Sequence, residues 1–333
     1  MFHSWLDKWD EQRAQNGEAD KTPSEFTVDA ELAFPNVSSI TTIEGFCSHA
    51  EQVSKDPEFF QRPDSNLKLF NMNGSLLSFP SGLVTDIQEN NVVRALITEN
   101  PDARHAVVVF HQWNAKKRKP QIARFLSRSG LTVAEIALPY HLERSRPGSL
   151  YADYMLGPNL GRTIQSVRQA VWDGQQLIYW LKNNGYEKIS VLGFSLGSWV
   201  AGLVAAHDLS VSKASLFLTA GSLADMVWTG RATGSIRKSL EPQISLPALR
   251  RAWAPLDLGN YVKELARPEL SVQLVIAKRD KVVLPSLSCQ LVQSLQEAGS
   301  KPSVMELNCG HYSISMLPYI LRSGYSLRTF MLR

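Results

Sequence analysis

One serine in this chain stands between two glycines, directly after an apolar run and directly before a helix-forming segment. The stretch Ile189-Ser-Val-Leu-Gly-Phe-Ser-Leu-Gly197 places Ser195 in a Gly-x-Ser-x-Gly spacing. This spacing is typical of a sharp strand-to-helix turn that exposes a nucleophilic hydroxyl at the edge of a sheet. Side chains at positions 193 and 197 would collide with the neighbouring strand and helix, so glycine is required there. The pattern predicts a nucleophilic serine.

A serine hydroxyl is a weak nucleophile until a base accepts its proton, so an acid and a histidine are expected further along the chain. Asp280 follows the apolar run that begins at Val275, and His311 follows Gly310 after a further predicted strand. His311 would act as general base and acid, while Asp280 would orient its imidazole. The alternatives are an ordinary turn aspartate and a hydrogen-bonded loop histidine, and Asp225 is the second candidate for the acid.

Two backbone N–H groups are expected to stabilise a developing oxyanion near this serine. One belongs to Leu196, the residue after the nucleophile, where a helix N-terminus also favours negative charge. The other should come from the loop Val109-Phe-His-Gln-Trp-Asn-Ala115, in which we assign the N–H of Trp113. His111 and Gln112 of the same loop are candidates for the wall of a substrate pocket.

Two further segments should border the pocket. Residues 221–268 lie between the predicted strands Ala214–Thr219 and Val272–Ile276 and are expected to form a small helical cap that contributes Trp228; extra surface helices are the alternative. The loop after Pro139 leaves the carboxyl end of a strand, where ligands gather in open α/β sheets. Its pocket candidates are Tyr140, Arg144 and Arg146.

The basic run Lys116-Lys-Arg-Lys119 follows the proposed oxyanion loop and should precede a helix. Cations at a helix N-terminus oppose the helix dipole, so a reason for them is worth seeking. One hypothesis is an anionic part of the substrate, such as a carboxylate, a phosphate or a coenzyme A tail. The alternative is a solvated surface run.

The elements that must position these residues alternate between short β-type runs and longer helix-period segments from about residue 65. That alternation predicts an α/β fold with a mostly parallel eight-stranded sheet and helices on both faces. Residues 1–64 are polar and irregular, and we treat them as an N-terminal extension preceding a catalytic domain at residues 65–333. The candidate strands are Leu67–Asn71, Leu76–Phe79, Val92–Thr98, Ala106–His111, Thr132–Ile136, Ile189–Phe194, Ala214–Thr219, Val272–Ile276 and Val304–Leu307.

The serine turn, the acid, the histidine and the strand order together resemble the α/β-hydrolase superfamily over roughly residues 65–333. The resemblance implies a carboxylesterase-like serine hydrolase with a Ser195–Asp280–His311 catalytic triad and no cofactor. The loop His111-Gln-Trp-Asn-Ala115 is also similar to the His-Gly-Tyr-Asn-Ala loop of bacterial acetyl-xylan esterases, with Gln112 in place of the glycine. The rival interpretations are an acyltransferase or thioesterase with the same triad, and a non-catalytic hydrolase-like binding protein.

Composition and charge exclude several other classes. An apolar content of 44% is that of a globular chain, and a net charge of +4 is too small to indicate a nucleic-acid binder. These values argue against a nucleic-acid partner, and the resemblance to α/β-hydrolases implies a small-molecule ester or thioester as the partner. No Cys or His cluster has metal-ligand spacing, so neither a metal nor a cofactor is predicted.

The cellular location is predicted from the cysteines and the apolar runs. Three cysteines are too few for a disulfide framework, which favours a reducing compartment. Charged residues interrupt the first ten positions, and no apolar run approaches the roughly 20 residues that cross a bilayer. These features predict a cytoplasmic protein, and they leave its oligomeric state open.

Overall fold

A nine-stranded sheet runs through the centre of the computed structural model, which describes residues 2–19, 21–35, 37 and 40–333. The strands are β1 (Asn71–Asn73), β2 (Leu76–Pro80), β3 (Val92–Thr98), β4 (His105–Phe110), β5 (Thr132–Ile136), β6 (Lys188–Phe194), β7 (Val211–Phe217), β8 (Ser271–Ala277) and β9 (Ser303–Leu307). Their order across the sheet is β1-β2-β3-β5-β4-β6-β7-β8-β9. The first four strands in this order, β1, β2, β3 and β5, pair antiparallel with one another. All the following pairs of neighbours are parallel. The predicted α/β fold with a mostly parallel sheet is confirmed.

Helices cover both faces of the sheet. They are α1 (Phe2–Glu18), α2 (Ala30–Ala33), α3 (Ile43–Val53), α4 (Pro120–Ser127), α5 (Leu160–Asn183), α6 (Leu196–His207), α7 (Leu223–Thr229), α8 (Gly234–Leu240), α9 (Leu246–Ala252), α10 (Val262–Leu265), α11 (Pro285–Glu297) and α12 (Tyr319–Leu332). Among the described residues, no helix combines the length and the apolar character needed to span a membrane.

The central strands are continuous apolar runs because both of their faces are buried. On β6, Val191 packs into one hydrophobic cluster, and the next residue, Leu192, packs into a second cluster on the opposite side. Neighbouring side chains of a strand point to opposite faces, so each face of the sheet has its own core. This arrangement leaves only the ends of the strands and their loops for polar chemistry.

The sheet has nine strands rather than the predicted eight, and the first strand candidate was misplaced. Residues Leu67–Leu69 form a short 3-10 turn, and β1 begins only at Asn71. The side chain of Asn66 accepts a hydrogen bond from the N–H of Lys68, and such local bonds favour a turn over a strand. The short, exposed β1 then pairs with β2 as an added antiparallel edge.

The N-terminal extension packs closely against the rest of the fold. Helix α2 contacts α5, and α3 contacts α9. Gly161 at the start of α5 makes one of these contacts possible, because a Cβ atom there would lie 1.9 Å from the carbonyl oxygen of Asp29. The division of the chain at residue 65, with a cap at residues 221–268, stays a prediction from the sequence.

Arg144, a predicted pocket residue, is instead buried inside the fold. Its guanidinium donates hydrogen bonds to the carbonyl oxygens of Asn90, at 2.7 and 3.1 Å, and of Ala137, at 3.0 Å. Its Nη1 also lies 2.9 Å from Oδ2 of Asp173 on α5, and both side chains are 0% exposed. The Ser81 hydroxyl donates to the same carboxylate at 2.7 Å. Arg144 therefore ties the loop after β5 to α5 and to the start of β3.

Replacing Asp173 should destabilise the protein strongly. Burial raises the pKa of this carboxyl while the Arg144 cation opposes that shift. We expect Asp173→Asn to lower the free energy of unfolding by about 3–5 kcal/mol, because the Arg144 charge stays buried without a counter-ion. Urea denaturation followed by circular dichroism measures the change.

The matched control is Asp86→Asn, which breaks the 2.9 Å ion pair of Asp86 with Arg162. The Asp86 side chain is 57% exposed, so the loss should stay below about 1 kcal/mol. Equal losses in the two variants would contradict the structural role assigned to the buried pair.

Candidate active site

Ser195 occupies a strained turn between β6 and α6. Its backbone angles are φ 52° and ψ −123°, a positive-φ conformation that costs energy for a residue with a side chain. A Cβ atom on Gly193 would lie 2.4 Å from the carbonyl oxygen of Gly197, and one on Gly197 would lie 2.3 Å from that of His111. The N–H of Ser195 donates to the carbonyl of Phe217 at 2.9 Å. The two glycines therefore allow the close contacts that hold the serine in this conformation.

Asp280 and His311 are joined by a hydrogen bond between two neighbouring loops. Asp280 follows β8 and His311 follows β9, and Nδ1 of the histidine lies 2.7 Å from Oδ2 of the aspartate. The other carboxylate oxygen accepts from the N–H groups of Val282 and Val283 at 2.7 and 2.9 Å, so the carboxylate has a fixed orientation. An Nδ1–H that donates to Asp280 leaves Nε2 of the ring available as a base.

Asp225, the second candidate for the acid, is engaged elsewhere. Its carboxylate accepts from the guanidinium of Arg250, with Nε at 2.9 Å from Oδ2. The side-chain hydrogen bonds from Arg250 and Ser222 lower the pKa of Asp225, although burial acts in the opposite direction. The structure therefore pairs His311 with Asp280 and not with Asp225.

Ser195 and His311 line the same cavity, which has a volume of about 460 Å³. Trp113 and Leu196 line it too, and neither backbone N–H has a hydrogen-bond acceptor among the described residues. Among the residues that the structure describes, no hydrogen bond joins Ser195 to His311. Hydrogen bonds between a nucleophile and its base are often long in structures without substrate and tighten when substrate binds. The rest of the wall includes an apolar group made of Phe194, Leu218, Met226, Val282 and Ile314.

Two histidines, of which His141 is 2% exposed, hold the loop that carries Trp113. His141 Nε2 accepts from the N–H of Asn114 at 2.9 Å, and His111 Nε2 accepts from the N–H of Leu138 at 3.1 Å. Burial lowers the pKa of His111 to about 4 and holds the pKa of His141 well below its usual range. Both rings are therefore neutral at pH 7, as an accepting ring nitrogen requires. His111 thus lies behind the cavity as a support for the loop and does not form its wall.

The Trp113 side chain is held from two sides. Its indole N–H donates to the carbonyl of Ala152 at 3.0 Å, and the amide oxygen of Asn114 accepts from the N–H of Ala152 at 2.8 Å. The Lys21 ammonium lies 4.1 Å from the centre of the Trp113 ring. A cation at this distance from a tryptophan face is an attractive contact. The Trp113 loop, which lies beside Ser195 in the cavity wall, thus contacts Lys21, a residue that precedes the sheet in sequence.

Of the six predicted pocket residues, only Gln112 lines the cavity that Ser195 and His311 share. Tyr140 is 3% exposed and packs edge-on against Tyr154. Arg146 forms a 2.9 Å ion pair with Asp153 and lines a neighbouring cavity. These placements, together with that of Arg144, correct the expectation for the loop after Pro139, whose side chains serve contacts within the fold.

Trp228 also lies outside this cavity, although its segment does contribute to the wall. The Arg237 guanidinium lies 5.6 Å from the centre of the Trp228 ring and donates to its carbonyl at 3.1 Å. Met226 and Thr233 of the same segment line the cavity instead. The apolar content of residues 221–268 did not distinguish which of its side chains would reach this cavity.

The N-terminal residues of the cavity were not predicted from the sequence. Arg13 and Lys21 line it together with Lys119, so all three charged side chains in its lining are basic. Of the run Lys116–Lys119, only Lys119 reaches the cavity, where its ammonium lies 5.4 Å from the ring centre of Phe194. No local pattern signals Arg13 or Lys21, because α1 reaches the site through tertiary packing.

Some known proteins are similar to this chain in sequence. No family model matches the chain. Two curated relatives, both described as uncharacterized proteins from strains of Mycobacterium tuberculosis, are 26% identical over 230 residues. The match covers 67% of this chain and 53% of each relative, so the chain spans about half the length of the curated relatives it matches.

Several solved structures are similar in fold at low sequence identity. Acetyl xylan esterase 1 from Thermoanaerobacterium sp. aligns over 96% of this chain and 97% of its own, with 16% identity and a TM-score of 0.59. An acetyl xylan esterase from Paenibacillus sp. R4 aligns over 90% and 98%, with 14% identity and a TM-score of 0.58. The Pyrococcus horikoshii acylaminoacyl peptidase aligns over 80% and 42%, with 10% identity and a TM-score of 0.61.

Acid should destabilise the fold partly through the two histidines behind the cavity. Their pKa values are lower in the folded chain than the unfolded value of about 6.5. Between about pH 6.5 and pH 4 the unfolded chain thus binds protons that the folded chain excludes, and stability falls as the pH falls. We expect His141→Gln, which keeps an acceptor but does not titrate, to reduce the loss of unfolding free energy between about pH 7 and pH 5. Urea denaturation at the two pH values measures it, and an unchanged loss would contradict the role of His141.

Proposed function

We propose that this chain, which has the α/β-hydrolase fold, is a serine hydrolase that cleaves an ester or thioester through an acyl-enzyme intermediate. The observation that carries the proposal is the 2.7 Å hydrogen bond between His311 and Asp280 at a cavity that Ser195 also lines. The three residues follow β6, β8 and β9, which are parallel and end at the same edge of the sheet. Fold neighbours named as esterases and peptidases support a hydrolytic reaction.

The first half of the reaction would transfer the acyl group to the serine. The Ser195 oxygen attacks the carbonyl carbon of the substrate while Nε2 of His311 accepts the hydroxyl proton. The carbonyl oxygen becomes an oxyanion, for which the N–H groups of Leu196 and Trp113 are the proposed donors. The tetrahedral intermediate collapses, and the His311 imidazolium gives its proton to the departing alcohol or thiol. Asp280 stabilises the imidazolium during this step.

The second half would release the acid. Water loses a proton to His311 as it attacks the acyl carbon, and the same proton returns to Ser195 when the acyl–serine bond breaks. An alcohol or thiol could replace water at this stage, which is the acyltransferase alternative. Both outcomes proceed through one acyl-enzyme and differ only in the acceptor.

An anionic substituent on the substrate would complement the charges of the cavity. Arg13, Lys21 and Lys119 line it, and Lys21 is already paired with Glu18 at 2.6 Å. Arg13 and Lys119 form no ion pair with any described residue. A carboxylate or phosphate near the acyl or leaving group would gain attraction from these two cations.

A cytoplasmic location is part of the same proposal. Cys47, Cys289 and Cys309 are all free thiols, and Cys289 is exposed. An exposed free thiol is easier to maintain in a reducing compartment than in an oxidising one.

A fluorophosphonate probe tests the proposed nucleophile. The wild type should be labelled at Ser195, because the probe phosphonylates a serine that a neighbouring base activates. The Ser195→Ala variant should not be labelled, and mass spectrometry of the labelled peptide identifies the site. An unlabelled wild type, or equal labelling of Ser195→Ala, would refute the mechanism.

The identity of the acid is tested by a matched pair of variants. Asp280→Asn should lower kcat on the order of 10,000-fold, because an amide favours the wrong tautomer of His311. Asp225→Asn makes the same chemical change at a carboxylate that contacts Arg250 instead, and kcat should stay close to that of the wild type. Hydrolysis of a p-nitrophenyl ester measures both, and the opposite pattern would assign the acid to Asp225.

The anionic-substrate proposal is tested at Lys119. Lys119→Gln should lower kcat/KM for an ester with a free carboxylate about fivefold more than for a neutral ester of equal length, since one contact between charges in water is worth about 1 kcal/mol. Lys117→Gln is the control, because Lys117 is exposed and does not line the cavity. Equal losses for both esters in Lys119→Gln would exclude this charge recognition.

A further inference from the structure

Asp10 of α1 binds the backbone immediately after His311. Its Oδ1 accepts from the N–H of Tyr312 at 2.7 Å and from the N–H of Ser313 at 3.0 Å. Its Oδ2 accepts from the hydroxyl of Ser313 at 2.5 Å. The carboxylate is 8% exposed and lies 303 positions away from Ser313 in the sequence. One side chain of the N-terminal extension thus accepts three hydrogen bonds from the histidine loop.

The same contacts reach the residue before the histidine. The Ser313 hydroxyl, which donates to Asp10, accepts from the N–H of Gly310 at 2.9 Å. A Cβ atom on Gly310 would lie 2.5 Å from Oδ2 of Asp10, so the carboxylate is packed directly against the backbone there. The loop is therefore held on both sides of His311, which leaves the imidazole little freedom to move away from Asp280.

Two ion pairs align α1 over the neighbouring loop of the acid. Asp7 accepts from Nε of Arg279 at 2.7 Å, and Glu11 accepts from Nζ of Lys281 at 3.0 Å. Positions 7, 10 and 11 share one face of a helix, so Asp10 lies between these two contacts. The basic residues flank Asp280 in the sequence. The acidic face of α1 thus contacts the loops of both the acid and the histidine.

We infer that Asp10 of α1 is a positioning residue for the catalytic histidine. The inference rests on the serine-hydrolase function proposed above. Asp10 does not line the cavity, so it acts on the reaction only through the histidine loop. Without its carboxylate, the N–H groups of Tyr312 and Ser313 lose their acceptor, and the loop must move to find other partners. A shift of about 1 Å at a reacting group costs on the order of 100-fold in rate.

The experiment separates positioning of the histidine from simple docking of α1. Asp10→Ala removes the contacts with the histidine loop, whereas Asp7→Ala removes an ion pair of the same helix and leaves those contacts intact. The rate of fluorophosphonate labelling at Ser195 is measured for both variants below their melting temperatures. Asp10→Ala should label between about tenfold and about 100-fold more slowly than the wild type, and Asp7→Ala within about threefold of it.

The conservative variant provides a rescue. Asp10→Asn keeps an oxygen that can accept from both N–H groups. Its labelling rate should therefore be at least about threefold higher than that of Asp10→Ala. Equal rates for Asp10→Ala and Asp7→Ala would overturn the inference, because docking alone would then explain the effect. If Asp10→Ala does not fold, Ser313→Ala takes its place: a loss of at least about threefold supports the inference, and an unchanged rate overturns it.

A spectroscopic measurement tests the position of the His311 ring without relying on activity. The Nδ1 proton of His311 that bonds to Asp280 should give a downfield proton resonance in the wild type and in Asp7→Ala. That resonance should broaden or disappear in Asp10→Ala, because the ring is no longer held against the carboxylate. A wild type that resists labelling would refute the serine-hydrolase function, whereas a normal resonance in Asp10→Ala would refute the positioning role.

Discussion

Close contact between three backbone segments around Ser195 is the constraint on which the rest of the site depends. The turn at φ 52° leaves β6, whose neighbours in the sheet are β4 and β7. The end of β7 accepts the Ser195 N–H, and the backbone after β4 leaves no room for a side chain at Gly197. Because both neighbouring strands fix the turn, its strain is supported by the most buried part of the sheet. The same contact brings the Trp113 loop beside the N-terminus of α6.

The loops around this turn are supported by polar side chains that never touch the cavity. His141 accepts from the backbone after Trp113, Asp280 accepts from the backbone that follows it, and Asp10 accepts from the backbone after His311. In each case a buried acceptor satisfies an N–H group that would otherwise have no partner. The rigid sheet sets the position of the strand ends, and these acceptors set the conformation of the loops beyond them.

The sequence was most informative about features that depend on contacts between residues close together in the chain. The bounds of β3 and β5 agree with the apolar runs that predicted them, since alternation and β-branching act within a few residues. The glycines around Ser195 were predicted from sterics and meet the expected contacts. The error at Leu67 also has a local cause, a side-chain hydrogen bond from Asn66 that the apolar pattern did not reveal.

What the sequence alone determined is the type of sheet, the turn at Ser195 and the candidates Asp280 and His311, because strand periodicity, glycine sterics and element order are encoded in neighbouring residues. Only the tertiary structure decided how the polar side chains are used. It buried Arg144 against Asp173, turned two histidines into acceptors and brought Asp10 to the histidine loop from 303 positions away. Such contacts join residues whose separation in the chain leaves no repeating pattern, so they depend on the folded packing of the whole domain.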